Sequence, residues 1–189
     1  MGAAEMFRRA FHVASPVWLS YYLLPPDSYV GIKREFLVIA VLAVVFSVEA
    51  ARLAWGLNVP GIREYEKRRP AAYAVGGLGV GLGLLFFPMP ITIVAVCGMA
   101  WIDPVCGATK RTRLYPAAPF ITYLLMAVTL LLLAGYSPAL TVLLAAAGSA
   151  VAVASERPRL RVIDDDFLMV AVPLVTLGGI DYLAAVLLP

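Results

Sequence analysis

Charge is scarce in this chain of 189 residues: Asp, Glu, Lys and Arg make up 14% of it, against 62% hydrophobic residues and a mean hydropathy of +0.88. Too few charges remain to clothe so apolar a core in a water-facing shell, which excludes an ordinary soluble domain and also a disordered or nucleic-acid-coating protein. Histidine occurs once, at His12, and cysteine twice, at Cys97 and Cys106. Two cysteines without CxxC spacing exclude a disulfide scaffold and a paired-cysteine metal or redox motif, and a lone histidine lacks the second His or Cys of a zinc site.

What the chain has in quantity is apolar runs. A membrane-crossing helix needs roughly 20 predominantly apolar residues, and seven runs bounded by charge or by Pro/Gly punctuation approach that length: about 10–25, 36–56, 71–87, 91–107, 117–135, 138–154 and 167–188. Polar loops 57–70, 108–116 and 155–166 and tight turns at Pro88–Pro90 and Gly135–Pro138 separate them. The expected fold is all-α, a polytopic membrane helical bundle of about seven transmembrane helices forming a single domain over 1–189. The first run carries His12, Ser15, Pro16 and Ser20 and equally suits a kinked or interfacial helix. Pro25-Pro26-Asp27 behind it is no signal-peptide cleavage site.

Threading the chain through seven spans brings the amino-terminus and loops 57–70, 108–116 and 155–166 to one side. Twelve Lys or Arg then lie on that side, against Lys33 and Arg34 on the other, with Arg52 near the inner end of its helix. The positive-inside rule makes that side, and the amino-terminus, cytoplasmic. Most acids collect there too: Glu64, Glu66, Asp103, Glu156, Asp164, Asp165 and Asp166. One face of the bundle is equipped for polar chemistry.

Asp164-Asp165-Asp166 enters the last apolar run directly. Three adjacent carboxylates repel one another, and a helix dipole offsets only about 0.3–1 kcal/mol each, whereas Mg2+ takes hard oxygen ligands and commonly pairs one or two carboxylates with substrate phosphates. Asp103 ends a short apolar run, where an ionisable group marks a functional candidate. Pro104 is expected to break the helix, leaving Gly107 and the cations Lys110, Arg111 and Arg113 as a flexible cradle for phosphates; those cations equally suit inner-leaflet binding. Arg8 and His12 share a helical face, with Arg9 beside them. Glu49 and Arg52, three apart, form a pair that is structural or functional. Loop 57–70 reads as a mixed-charge surface helix. Gly77/Gly81 and Gly79/Gly83 are overlapping GxxxG pairs suited to close helix packing, and Asp181 calls for a Tyr or Ser partner or the interface.

In this order, the segments Arg8-Arg9-Ala10-Phe11-His12, Glu49 with Arg52, Arg63-Glu64-Tyr65-Glu66, Ile102-Asp103, and Glu156 followed by Asp164-Asp165-Asp166 resemble the motifs of the CTP-dependent polyprenol kinase family, which holds dolichol kinase, phytol kinase and the yeast-type CTP-dependent diacylglycerol kinase. The resemblance covers most of the chain. It departs where Arg9 replaces Lys, Ile102 stands for the Gly before the central Asp, Pro104 follows, the Gly-rich segment is compressed to Gly107, and Asp166 stands for Asn. The sister family of CDP-diacylglycerol synthases has a long carboxy-terminal signature that is absent here.

The resemblance implies a multi-pass cell-membrane enzyme that moves the terminal phosphate of CTP to the hydroxyl of an isoprenoid alcohol, with Mg2+ and an active site facing the cytoplasm. Asp103, Asp164 and Asp165 are then the catalytic residues, holding Mg2+ or, for one of them, taking the proton of the alcohol. Arg8, Arg9, Lys110, Arg111 and Arg113 hold phosphates; Glu66 and Glu156 orient those cations or touch the nucleotide; His12, Asp166 and Gly107 are further candidates. The lipid enters between helices beside the glycine-rich third run. Expected partners are the lipid alcohol, nucleotide and membrane lipids, with homo-oligomers open and nucleic acid excluded. Two other readings stay open: a CTP-dependent cytidylyltransferase making a CDP-activated lipid, and a non-enzymatic transporter or scaffold.

Overall fold

The computed structural model describes residues 10, 12–26, 31–57, 59, 62, 64–156 and 164–187, with only the backbone of Tyr65. The described residues form a helical bundle without strands: a 3-10 helix over Ser15–Leu23, then α1 (Arg34–Trp55), α2 (Ala72–Phe86), α3 (Met89–Thr109), α4 (Ala117–Leu133), α5 (Pro138–Ser155) and α6 (Asp165–Leu187). The six α-helices fall within about two residues of the expected runs, because the same charges and Pro/Gly residues that bound the hydropathy also end the helices.

Local chemistry fixes those ends. Gly56, at φ 63°, takes the left-handed conformation after α1, and its N–H and that of Leu57 both bond the Arg52 carbonyl. Ser137 caps α5 by accepting from the Leu140 N–H, with Pro138 in the first turn. Gly135, at φ 86°, reverses the chain between α4 and α5.

Helices α1, α3, α5 and α6 are long and apolar enough to cross a membrane. Helices α2 and α4, of 15 and 17 residues, measure roughly 22 and 26 Å at 1.5 Å per residue, short of a hydrocarbon core of about 30 Å. The first expected run is not one α-helix: its 3-10 segment, nine residues long, reaches roughly 18 Å. Pro16 in the first turn removes an N–H donor.

Helix α3 is the centre, packed against the 3-10 helix and α2, α4, α5 and α6. Its face from Ile91 to Ile102 is almost entirely buried. Tyr123 of α4 lies wholly inside, its ring occupying the room that Gly98 of α3 and Gly148 of α5 leave by having no side chain. Helix α1 is peripheral, packs chiefly on α2, and exposes Phe36, Ile39, Val44 and Val48.

Two local expectations are corrected. Pro104 does not end its helix: α3 continues to Thr109, and Gly107 is helical. Proline leaves the Ala100 carbonyl without its i+4 donor, a defect that apolar helices tolerate when neighbours pack around it. Loop 57–70 holds, among its described residues, only a one-turn 3-10 helix at Glu64–Glu66, where Arg52 takes the Glu66 and Arg69 carbonyls from outside.

Candidate active site

The polar residues gather at one end of the bundle, where α1, α3 and α5 finish and α2, α4 and α6 begin. The Gly76 Cα faces Asp166 closely enough that an added Cβ would sit 3.7 Å from the Asp166 Cβ. The opposite end carries, among the described residues, only Lys33, Arg34, Glu35 and Asp181 as charged groups. There Asp181 hydrogen-bonds Tyr136, and burial, with the carboxylate beside it, pushes the Tyr136 phenol up to about 12.

His12 organises the cluster. Its Nε2 lies 3.0 Å from the Met99 carbonyl and 3.7 Å from Asp103 Oδ2, and its Nδ1 lies 3.8 Å from Asp166 Oδ2. A carbonyl only accepts, so Nε2 carries the hydrogen and, in the neutral ring, Nδ1 presents a lone pair toward Asp166. His12, Asp103 and Asp166 each bring a ligand atom within 4.8 Å of the others, and so do Asp164, Asp165 and Asp166. Asp166 joins the two groups. Asp103 and Asp166 offer the hard oxygens that Mg2+ takes, with Asp164 and Asp165 beside Asp166, so the carboxylates fit such an ion and leave the imidazole nitrogen for a proton.

Lys110 and Glu156 form a second polar station. Lys110 Nζ donates to Glu156 Oε1 at 2.6 Å, and the Tyr115 hydroxyl donates to Oε2 at 3.2 Å. Glu156 is buried, so it fixes an ammonium that is itself half exposed. Arg111 and Arg113 are exposed on the loop that follows. Arg8 and Arg9 lie outside the described residues.

Glu49 and Arg52 are 3% and 2% exposed. Arg52 donates to both Glu49 oxygens, at 2.8 and 2.7 Å, and to the Glu66 and Arg69 carbonyls, at 3.0 and 2.7 Å. Glu49 also accepts from the Ala71 N–H and the Tyr73 hydroxyl, both at 2.6 Å. This pair holds loop 64–71 against α1. Glu66 is buried and takes the Ala72 N–H at the start of α2, so its carboxylate orders the helix entrance.

A cavity of about 350 Å3 runs from this end into the apolar body. It starts at His12, Asp166 and Tyr73, passes between the 3-10 helix, α1 and the glycine face of α2, and reaches Leu84, Leu37 and Leu24. At its far end Arg34 lies 4.8 Å over the Tyr21 ring and bonds the Leu24 carbonyl. The two GxxxG pairs therefore differ. Gly79 and Gly83 let α2 approach Val170 and Leu174 of α6 and Gly81 lets it approach Leu42 of α1, whereas Gly77, which lines the cavity, has open space where a Cβ would be.

Protein-family models, curated proteins and solved structures give no match to this chain. The sequence pointed to Asp103, Asp164 and Asp165; the structure joins Asp103 to Asp166 and to His12, which the absence of a second His or Cys had made the weaker candidate. Ser15, Tyr115 and the Met99 carbonyl carried no sequence signal.

Proposed function

We propose that this protein is a lipid kinase, moving the terminal phosphate of a nucleotide to the hydroxyl of a polyprenol- or dolichol-type isoprenoid alcohol. The observation that carries the reading is the junction of an apolar cavity with the His12–Asp103–Asp166 cluster. An amphiphile fits it with its tail among Leu37, Val38, Val41 and Leu84 and its head among the acids. CTP as the donor follows from the resemblance alone.

Phosphoryl transfer depends on alignment and charge neutralisation. The lipid oxygen attacks the terminal phosphorus, the bond from that phosphorus to the bridging oxygen breaks, and the hydroxyl proton passes to His12 Nδ1, giving lipid monophosphate and CDP. Asp103 and Asp166, with Asp164 and Asp165 adjacent, would hold Mg2+, which neutralises phosphate charge when bound. Lys110, steadied by Glu156 and Tyr115, and the exposed Arg111 and Arg113 supply cations for the phosphates. The partition of Lys and Arg supports a multi-pass protein of about seven spans whose amino-terminus and polar end face the cytoplasm.

The test is transfer of label from terminal-labelled CTP, with ATP in parallel, to polyprenols, phytol and diacylglycerol in detergent with Mg2+. Label on a lipid, lost in Asp103→Asn and Asp166→Asn, supports the kinase. A CDP-lipid with released pyrophosphate would replace it with cytidylyl transfer; intact CTP and no labelled lipid would return the acids to a transporter or scaffold.

A further inference from the structure

Five buried side-chain polar atoms among the described residues have no hydrogen-bond partner, and only one, Ser15 Oγ, lies in the wall of the cavity. Ser15 is 8% exposed. A buried hydroxyl left unpaired is costly in an apolar setting, so its persistence calls for a partner that the folded chain does not itself contain. Ser15 follows His12 by three residues and both line the same space, at the end where the apolar walls give way to Asp166.

Beyond Ser15 the cavity follows α2 from Ala72 to Leu84, about 18 Å at helical rise. Its volume of about 350 Å3 is at the low end for a site holding a drug-sized molecule. Its length and narrow apolar walls suit a single hydrocarbon chain. Gly77 keeps it open: a Cβ there meets nothing within 4 Å, so a larger side chain would project into the lumen without displacing the fold.

We propose that this cavity binds a single-chain lipid alcohol, with Ser15 receiving the hydroxyl next to His12 and the chain lying along Gly77. That the bound alcohol is a phosphate acceptor rests on the lipid-kinase reading; the binding itself does not. On this proposal a diacylglycerol, with a second chain to place, competes less well than a single-chain alcohol.

The full-length protein in detergent, carrying Gly77→Cys, is labelled with an apolar maleimide, the wild type with its buried Cys97 and Cys106 giving the background. Geranylgeraniol is expected to slow labelling, the C20 hydrocarbon of the same skeleton to protect less well, and dioleoylglycerol no better than the hydrocarbon. Adding Ser15→Ala should raise the alcohol concentration for half-protection by about fivefold, the scale of one net hydrogen bond, leave the hydrocarbon unchanged, and be reversed by Ser15→Thr. Equal protection by alcohol and hydrocarbon, protection that survives Ser15→Ala, or stronger protection by dioleoylglycerol overturns the proposal. Protection as expected with no phosphate transfer in parallel would sink the kinase reading and leave the alcohol site standing. Transfer without protection would do the reverse.

Discussion

In the proposed phosphoryl transfer the two nitrogens of His12 have different duties. Nε2 is committed to the Met99 carbonyl, which fixes the ring and leaves Nδ1 for the proton in flight. Replacing the imidazole by His12→Gln should lower kcat for lipid phosphorylation by about 10²–10⁴, the usual contribution of a positioned general base, with little change in the nucleotide KM; a fall in KM alone would deny it that role. Glu156→Gln should act differently. It removes the charge that steadies Lys110, so the expected change is a higher nucleotide KM with a smaller loss of kcat, read from initial rates against CTP. The Glu49–Arg52 pair belongs to stability instead. Glu49→Ala leaves a buried guanidinium and two donors without their carboxylate, and should cost about 3–5 kcal/mol, seen as a lowered unfolding temperature in detergent and faster proteolysis within 57–70. The sequence made this pair visible by spacing, but its purpose depends on the Glu66 and Arg69 carbonyls and the Ala71 N–H, which no spacing rule brings to Arg52 and Glu49.

Helices of this protein pack through glycine, and the glycines are not equivalent. Gly98→Ala would drive a methyl into the Tyr123 ring at the centre of α3, α4 and α5, and overpacking of that kind costs about 1–3 kcal/mol. Gly77→Ala adds a methyl into empty space and, by relieving glycine's conformational entropy in a helix, should leave the unfolding temperature level or slightly raised. Thermal unfolding of the two variants side by side checks the contrast. Repeat spacing alone made Gly77/Gly81 and Gly79/Gly83 look alike; only the neighbours of α2, with α6 beside Gly79 and Gly83, α1 beside Gly81 and the cavity at Gly77, separate them. Pro104 makes the same point in reverse. Read along the chain it is a helix breaker, yet the packed surroundings of α3 carry the helix past it to Thr109.

The bundle is polar at one end and nearly uncharged at the other, and Asp181, roughly 24 Å along α6 from Asp165 at helical rise, belongs to the quiet end. Asp181→Asn should therefore leave phosphate transfer unchanged while Asp166→Asn abolishes it, in the same assay. Single cysteines introduced at Thr112 and at Pro88 in sealed, right-side-out vesicles should label from inside and outside respectively; the opposite pattern would invert the proposed orientation. Composition, hydropathy and Pro/Gly punctuation were enough to establish an all-helical, membrane-suited chain, the six α-helices within about two residues, and the end at which its charge collects, because each of these depends on residues near one another in sequence. The site itself is a different matter. His12, Asp103 and Asp166 are separated by 91 and 63 residues, Ser15 was one more polar residue in the first run, and the cavity is lined from five helices at once. Those relations exist only after α3 and α6 have packed together and the 3-10 helix has come to lie against α3, since a lone pair, a carbonyl and two carboxylates become one site through distance in space.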